Sequence, residues 1–168
     1  MTRDKDFVHV AAHILFFVLT VLLIIFCFIF YNWAGFKALL YIGWIMLITG
    51  GVLFSMSHIF IHKRGGVPNG KKYCDTAVIV DYGIYAIVRH PIFLSFASMV
   101  VALIFISQHW LSAVIGTPII MLLYIAMLEE EQYNIKKFGN DYKRYMKKVP
   151  RINFLLGIMR FIRRRKRG

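Results

Sequence analysis

Apolar residues run almost without interruption over residues 8–30 and again over 38–61, each long enough for the roughly 20-residue helix that crosses a bilayer. Two shorter apolar runs follow, 91–106 and 111–128, separated only by Ser107, Gln108, His109 and Trp110. At about 1.5 Å per residue these runs rise roughly 24 and 27 Å, so they read as a tight helical hairpin that returns to nearly its starting level. Pro91 suits the first position of a helix, where a missing N–H costs nothing. Beyond residue 128 the pattern becomes amphipathic. Phe138, Tyr142 and Tyr145 share one helical face, and Phe154, Leu155, Ile158, Phe161 and Ile162 recur at helical spacing before five consecutive cations. The chain is therefore expected to be an all-α integral membrane protein: one domain over residues 1–168, four transmembrane helices, and a cytoplasmic amphipathic helical tail over 129–168.

Composition agrees with that class, since 59% of the 168 residues are hydrophobic and the mean hydropathy is +0.63. The first apolar run exceeds a cleavable signal's apolar stretch and lacks a small-residue cleavage site after it, so it is expected to stay as a helix. Charge supplies the orientation. Of 21 Lys and Arg residues, 13 lie between Lys136 and Arg167, and the connection between the second and third runs carries Lys63, Arg64, Lys71, Lys72 and Arg89. The hairpin tip has no cation, so the positive-inside rule places both termini and the second connection in the cytoplasm. A net charge of +13 could signal nucleic acid, but the cations crowd a membrane-proximal tail, whose expected partner is an anionic leaflet surface.

Other features carry less chemistry. Gly43, Gly50 and Gly51, with Ser55 beyond them, have the spacing of close helix contacts. His58 and His62 stand four apart, as do His9 and His13, and neither pair has a third ligand nearby, so no metal is expected. Cys27 and Cys74 lie at different depths and have no metal-ligand spacing. The connection over 63–82, with Gly65, Gly66 and a Pro68–Asn69–Gly70 turn, is long for a linker.

The hairpin geometry brings one end bearing Arg89 and His90 to the other end bearing Glu129, Glu130 and Glu131. Ionisable groups at membrane depth need partners, so a structural Arg–Glu clasp and a ligand site both fit this corner. Free N–H groups at Ile92 and Phe93, together with Arg89, would favour an anionic group there. The helix around Tyr142 could fold over the corner as a lid, weakened at Gly139.

The residues Val80, Gly83, Ile84, Tyr85, Val88, Arg89, His90 and Pro91, followed after a hairpin by Glu130, Glu131, Phe138, Gly139, Tyr142 and Tyr145, resemble the pattern of the isoprenylcysteine carboxyl methyltransferases and the related phospholipid methyltransferases. The likeness runs from Val80 to Arg151, with Phe93 where the pattern has tyrosine and Ser95 where it has glycine. It implies an integral membrane enzyme that uses S-adenosylmethionine to methylate a lipophilic acceptor. Within that resemblance Arg89, His90 and Glu130 are the implied catalytic residues, and Tyr85, Arg89, His90, Pro91, Glu130, Glu131 and Tyr142 the implied cofactor-binding set. Arg89 would pair with the cofactor's carboxylate, the glutamates would accept from its ammonium and ribose hydroxyls, and Tyr85 would pack on its purine. Eukaryotic carboxyl methyltransferases have arginines before the acidic pair, whereas residues 121–128 hold no cation, so the acceptor stays open among a prenylcysteine-like carboxylate, a lipid amine and another lipophilic group. Two other classes are compatible with the pattern: a nicotinamide-dependent membrane reductase akin to sterol reductases, and a non-enzymatic four-helix scaffold.

Overall fold

The computed structural model describes residues 2–65 and 76–166. Among them are six α-helices and no strand: α1 (Thr2–Ile29), α2 (Lys37–Arg64), α3 (Pro91–Ser107), α4 (Trp110–Phe138), α5 (Asn140–Lys148) and α6 (Phe154–Arg165), with a 3-10 turn at Gly83–Ala86 before α3. The Pro68–Asn69–Gly70 turn, Lys71, Lys72, Cys74 and Arg167 lie outside the described residues.

Pro91 opens α3, and the first turn closes when the Leu94 N–H donates to the His90 carbonyl at 3.0 Å. α4 does not end with its apolar run at Leu128. Glu, Gln and Lys follow, which are good helix formers, and no breaker intervenes before Gly139 at φ 57°. The acidic residues thus sit on the same rigid helix as the apolar run, one to three residues beyond it.

Three stretches are long and apolar enough to cross a membrane, Val10–Ile29, Lys37–Lys63 and Trp110–Phe138, while α3 is apolar over 17 residues. Phe17, Phe28, Ile45 and Ile48 are each more than half exposed. Water tolerates such a surface poorly and lipid tails solvate it, as in a multi-pass membrane protein.

The chain divides into two compact units, Met1–Gly50 with Phe96–Ala126, and Gly51–Ser95 with Met127–Gly168. In the first, the two connections satisfy each other's polar groups. The Gln108 amide donates to Asn32 Oδ1 at 2.9 Å and to the Phe36 carbonyl at 2.8 Å, and accepts from the Phe36 N–H at 2.8 Å. The N–H groups of Asn32 and Trp33 donate to the carbonyls of Ile106 and Ser107 at 2.9 and 3.0 Å. His109 stacks on Phe30, with ring centroids 4.0 Å apart. Backbone near hydrocarbon must be paired, and this clasp pairs it.

In the second unit Ile61, Val80, Ile84, Tyr85 and Val88 form one buried cluster, and Tyr142, Tyr145 and Val149 form another. α6 approaches the 3-10 turn so closely that a Cβ at Gly157 would overlap the Ile87 carbonyl oxygen.

The glycines of α2 do not share one role. A Cβ at Gly43 would lie 2.8 Å from Ile106 Cγ1 and 3.0 Å from the Ala102 carbonyl oxygen, whereas one at Gly51 would meet nothing within 4 Å. Ser55 bonds back to the Gly51 carbonyl of its own helix at 2.9 Å, so the close-contact reading holds for Gly43 and fails for Gly51. Thermal unfolding in detergent should separate them: Gly43→Ala destabilises by about 1–3 kcal/mol through overpacking, and Gly51→Ala is neutral or stabilises by up to about 1 kcal/mol through helix propensity.

Candidate active site

Three segments of the second unit converge. Arg89 and His90 lie between the 3-10 turn and α3, where their N–H groups donate to the carbonyls of Pro150 and Arg151 at 3.0 and 3.2 Å. Extended backbone at Val149, φ −118° and ψ 128°, is what a residue before proline adopts, and it leads Pro150 and Arg151 into this pairing. The third segment is the distal part of α4, where Glu130 and Glu131 project.

Glu131 is the hub. Its side chain is 3% exposed, and its Oε1 accepts from Arg89 Nη2 at 2.8 Å, His90 Nε2 at 3.1 Å and Arg151 Nε at 3.1 Å. Its Oε2 accepts from Arg151 Nη2 at 2.7 Å, so Arg151 grips the carboxylate with two donors. An ionised carboxylate only accepts, so His90 donates to it from Nε2, and Nδ1 takes no part in that contact. Nδ1 lies 3.7 Å from Glu130 Oε1, beyond a hydrogen bond. Glu130 differs from its neighbour in access, its side chain being 36% exposed. Asn134, one turn on, stands near both Glu130 and Tyr142.

Of the sequence-derived candidates, Arg89, His90, Glu130 and Glu131 form one constellation, and the Tyr142 phenol faces it. Pro91 is buried at the start of α3. Tyr85 sits in the apolar cluster, and its carbonyl accepts from the Tyr145 hydroxyl at 2.7 Å, which ties α5 to the 3-10 turn. Burial pushes the Tyr142 phenol up to about 12 and the Tyr145 phenol higher still. Tyr142 is therefore a neutral hydrogen-bonding group in the physiological range and cannot serve as a phenolate base. Arg151 was not anticipated. The signal for it was the Pro150 that straightens the chain beside a cation.

One atom of the cluster is unspent. Arg89 is 9% exposed, and its Nε has no hydrogen-bond partner among the described residues. A buried guanidinium N–H left this way fits an anionic ligand group.

Residues 38–141, well over half the chain, match the phospholipid methyltransferase family, and the chain belongs to that family. The matched span contains Arg89, His90, Glu130 and Glu131 and stops short of Tyr142 and Arg151. Over 97 residues, 57% of its length, the chain is 30% identical to the protein-S-isoprenylcysteine O-methyltransferase of Schizosaccharomyces pombe, of which it covers 37%. It thus spans little more than a third of that relative. No solved structure matches the chain.

Two outcomes follow from this geometry. Glu131→Gln leaves two guanidinium groups without their counter-charge and should destabilise the fold by about 3 kcal/mol, while the more exposed Glu130→Gln should leave the unfolding temperature nearly unchanged. Differential scanning fluorimetry in detergent compares them. In an ultraviolet titration, Tyr142 and Tyr145 should ionise only after exposed tyrosines do. The sign is set by their raised folded-state values: their contribution to stability is intact below about 10, the unfolded value, and is lost as pH rises towards about 12, so unfolding should accompany their titration.

Proposed function

We propose that this chain transfers a methyl group from S-adenosylmethionine to a lipophilic acceptor at the cytoplasmic face of a membrane. The observation that carries the reading is the Arg89–His90–Glu130 constellation with its unspent Arg89 Nε, set in a chain of the phospholipid methyltransferase family. The residue chemistry fits the donor. Arg89 would hold its carboxylate through Nε, and Glu130 would accept from its ammonium or ribose hydroxyls. Glu131, already engaged by Arg89, Arg151 and His90, would hold these groups in place from behind. Tyr142 would close the polar side of the site as a neutral phenol, with Tyr85 and Pro91 shaping its apolar wall.

S-adenosylmethionine, when bound, supplies an electrophilic methyl group whose in-line displacement disperses positive charge. The protein's part is to align donor and acceptor and keep water out. A carboxylate acceptor, like that named by the Schizosaccharomyces pombe relative, needs no base. An amine acceptor, like that of a phospholipid head group, must lose a proton, and His90 Nδ1 and the Glu130 carboxylate stand beside each other as the available proton acceptors. The apolar helices would present the acceptor from the bilayer, with α3 as a fourth crossing and the basic termini on the cytoplasmic side. The tail would rest on that anionic surface.

Calorimetry with S-adenosylhomocysteine tests the site. Arg89→Ala and Glu130→Gln should each weaken binding about tenfold or more, the worth of a charge-assisted hydrogen bond in a buried site. Wild-type affinity in both variants removes the proposed site. Binding of a nicotinamide dinucleotide in place of the homocysteine would assign a reductase, and binding of neither would leave a scaffold. Transfer of labelled methyl groups into a lipid extract, with prenylcysteine analogues alongside, identifies the acceptor.

A further inference from the structure

We infer that the cleft between α5 and α6 is a binding site for the phosphate-bearing head group of an anionic phospholipid. Five cations line it, Lys147 and Lys148 from the end of α5 and Arg160, Arg163 and Arg164 from α6. At about 100° per residue the three arginines share one side of α6 instead of encircling it, so two elements present their charge to the same groove. None of the five is in an ion pair with a carboxylate among the described residues. Arg164 is tied down, its Nη2 donating to the Ala86 carbonyl at 2.7 Å. Like charges gathered this way repel one another until an anion enters between them.

The other faces of α6 select the kind of anion. Leu155, Met159 and Ile162 form an exposed stripe along the helix next to the arginine side, at 74%, 59% and 49% exposure. A soluble phosphate or nucleotide offers nothing to that stripe, whereas a phospholipid offers an anionic head to the cleft and acyl chains to the stripe. Beside Arg164, at the edge of the arginine side, Gly157 packs against the Ile87 carbonyl. α6 is therefore docked on the protein, and the cleft is a formed groove. The inference rests on the tail lying at the membrane surface and is independent of methyl transfer.

The full chain in detergent is titrated with dioctanoyl phosphatidylglycerol, dioctanoyl phosphatidylcholine or inorganic phosphate and followed by native mass spectrometry. Retention of the anionic lipid over the zwitterionic one is expected. Lys147→Gln with Lys148→Gln should weaken that retention at least tenfold, at about fivefold for each cation near an anionic lipid, although every arginine of α6 remains. Lys143→Gln, an exposed α5 cation outside the cleft, should leave it unchanged. Equal retention of both lipids, or equal loss with Lys143→Gln, overturns the site, and displacement of the lipid by equimolar phosphate assigns the cleft to a soluble anion and overturns the lipid. S-adenosylhomocysteine affinity measured on the same preparations distinguishes the two proposals: lipid selectivity without donor binding leaves the cleft and removes the methyltransferase reading, and the converse leaves the enzyme and removes the cleft.

Discussion

A carboxylate removed from water must be compensated, and Glu131 is compensated by groups from two other parts of the chain. Arg89 and His90 reach it from the segment before α3, and Arg151 from the segment after α5. The backbone pairing of Arg89 and His90 with Pro150 and Arg151 brings the two guanidinium groups close together, and without Glu131 they would repel each other there. The chain pairing therefore relies on the buried carboxylate for charge compensation. The polypeptide crosses from the 3-10 turn into an apolar helix at this point, where unpaired polar groups are most expensive.

That arrangement divides the labour of the acidic pair. Adjacent residues on a helix point about 100° apart, so one glutamate can face the protein while the next faces the opening. Glu131 faces inward and is saturated, while Glu130 is more accessible and lies near His90 Nδ1. The structural clasp and the proposed ligand site, alternatives on the sequence alone, are compatible, because the site as proposed would use a different acid and different nitrogens of His90 and Arg89. The clasp spends Arg89 Nη2 and His90 Nε2, and Arg89 Nε and His90 Nδ1 remain.

The sequence made this corner legible to the extent that length arithmetic could. Two apolar runs of similar rise bring Arg89 and Glu131 together whatever the details of packing, and Pro91 marked where α3 begins. Arg151 was legible only through Pro150, because its approach depends on the turn at Gly139 and on Pro150 and Arg151 accepting from the N–H groups of Arg89 and His90, neither of which has a periodic signal. The apolar run ended the expected span at Leu128, whereas the helix continues to Phe138, because hydrophobicity reports where lipid contact stops while helix propensity decides where the helix stops, and Glu129 to Phe138 satisfy only the second. Gly51 was misread for a related reason. Spacing shows which residues share a face and does not show whether a neighbour occupies that face.

The position of α6 changes how the basic tail is understood. As a pattern it is an amphipathic helix that could float on a lipid surface, attached only by its linker. In the structure it grips the 3-10 turn at two places, with Gly157 against the Ile87 carbonyl and Arg164 donating to the Ala86 carbonyl. Those carbonyls belong to the residues that lead directly into Arg89 and His90. Any force that lifts α6 from this seat strips Ala86 of a charge-assisted hydrogen bond and frees the backbone that orients Arg89. The element proposed to meet the membrane surface is thus also packed on the residues that lead into the proposed donor site, so the two proposals share a mechanical element without sharing a ligand.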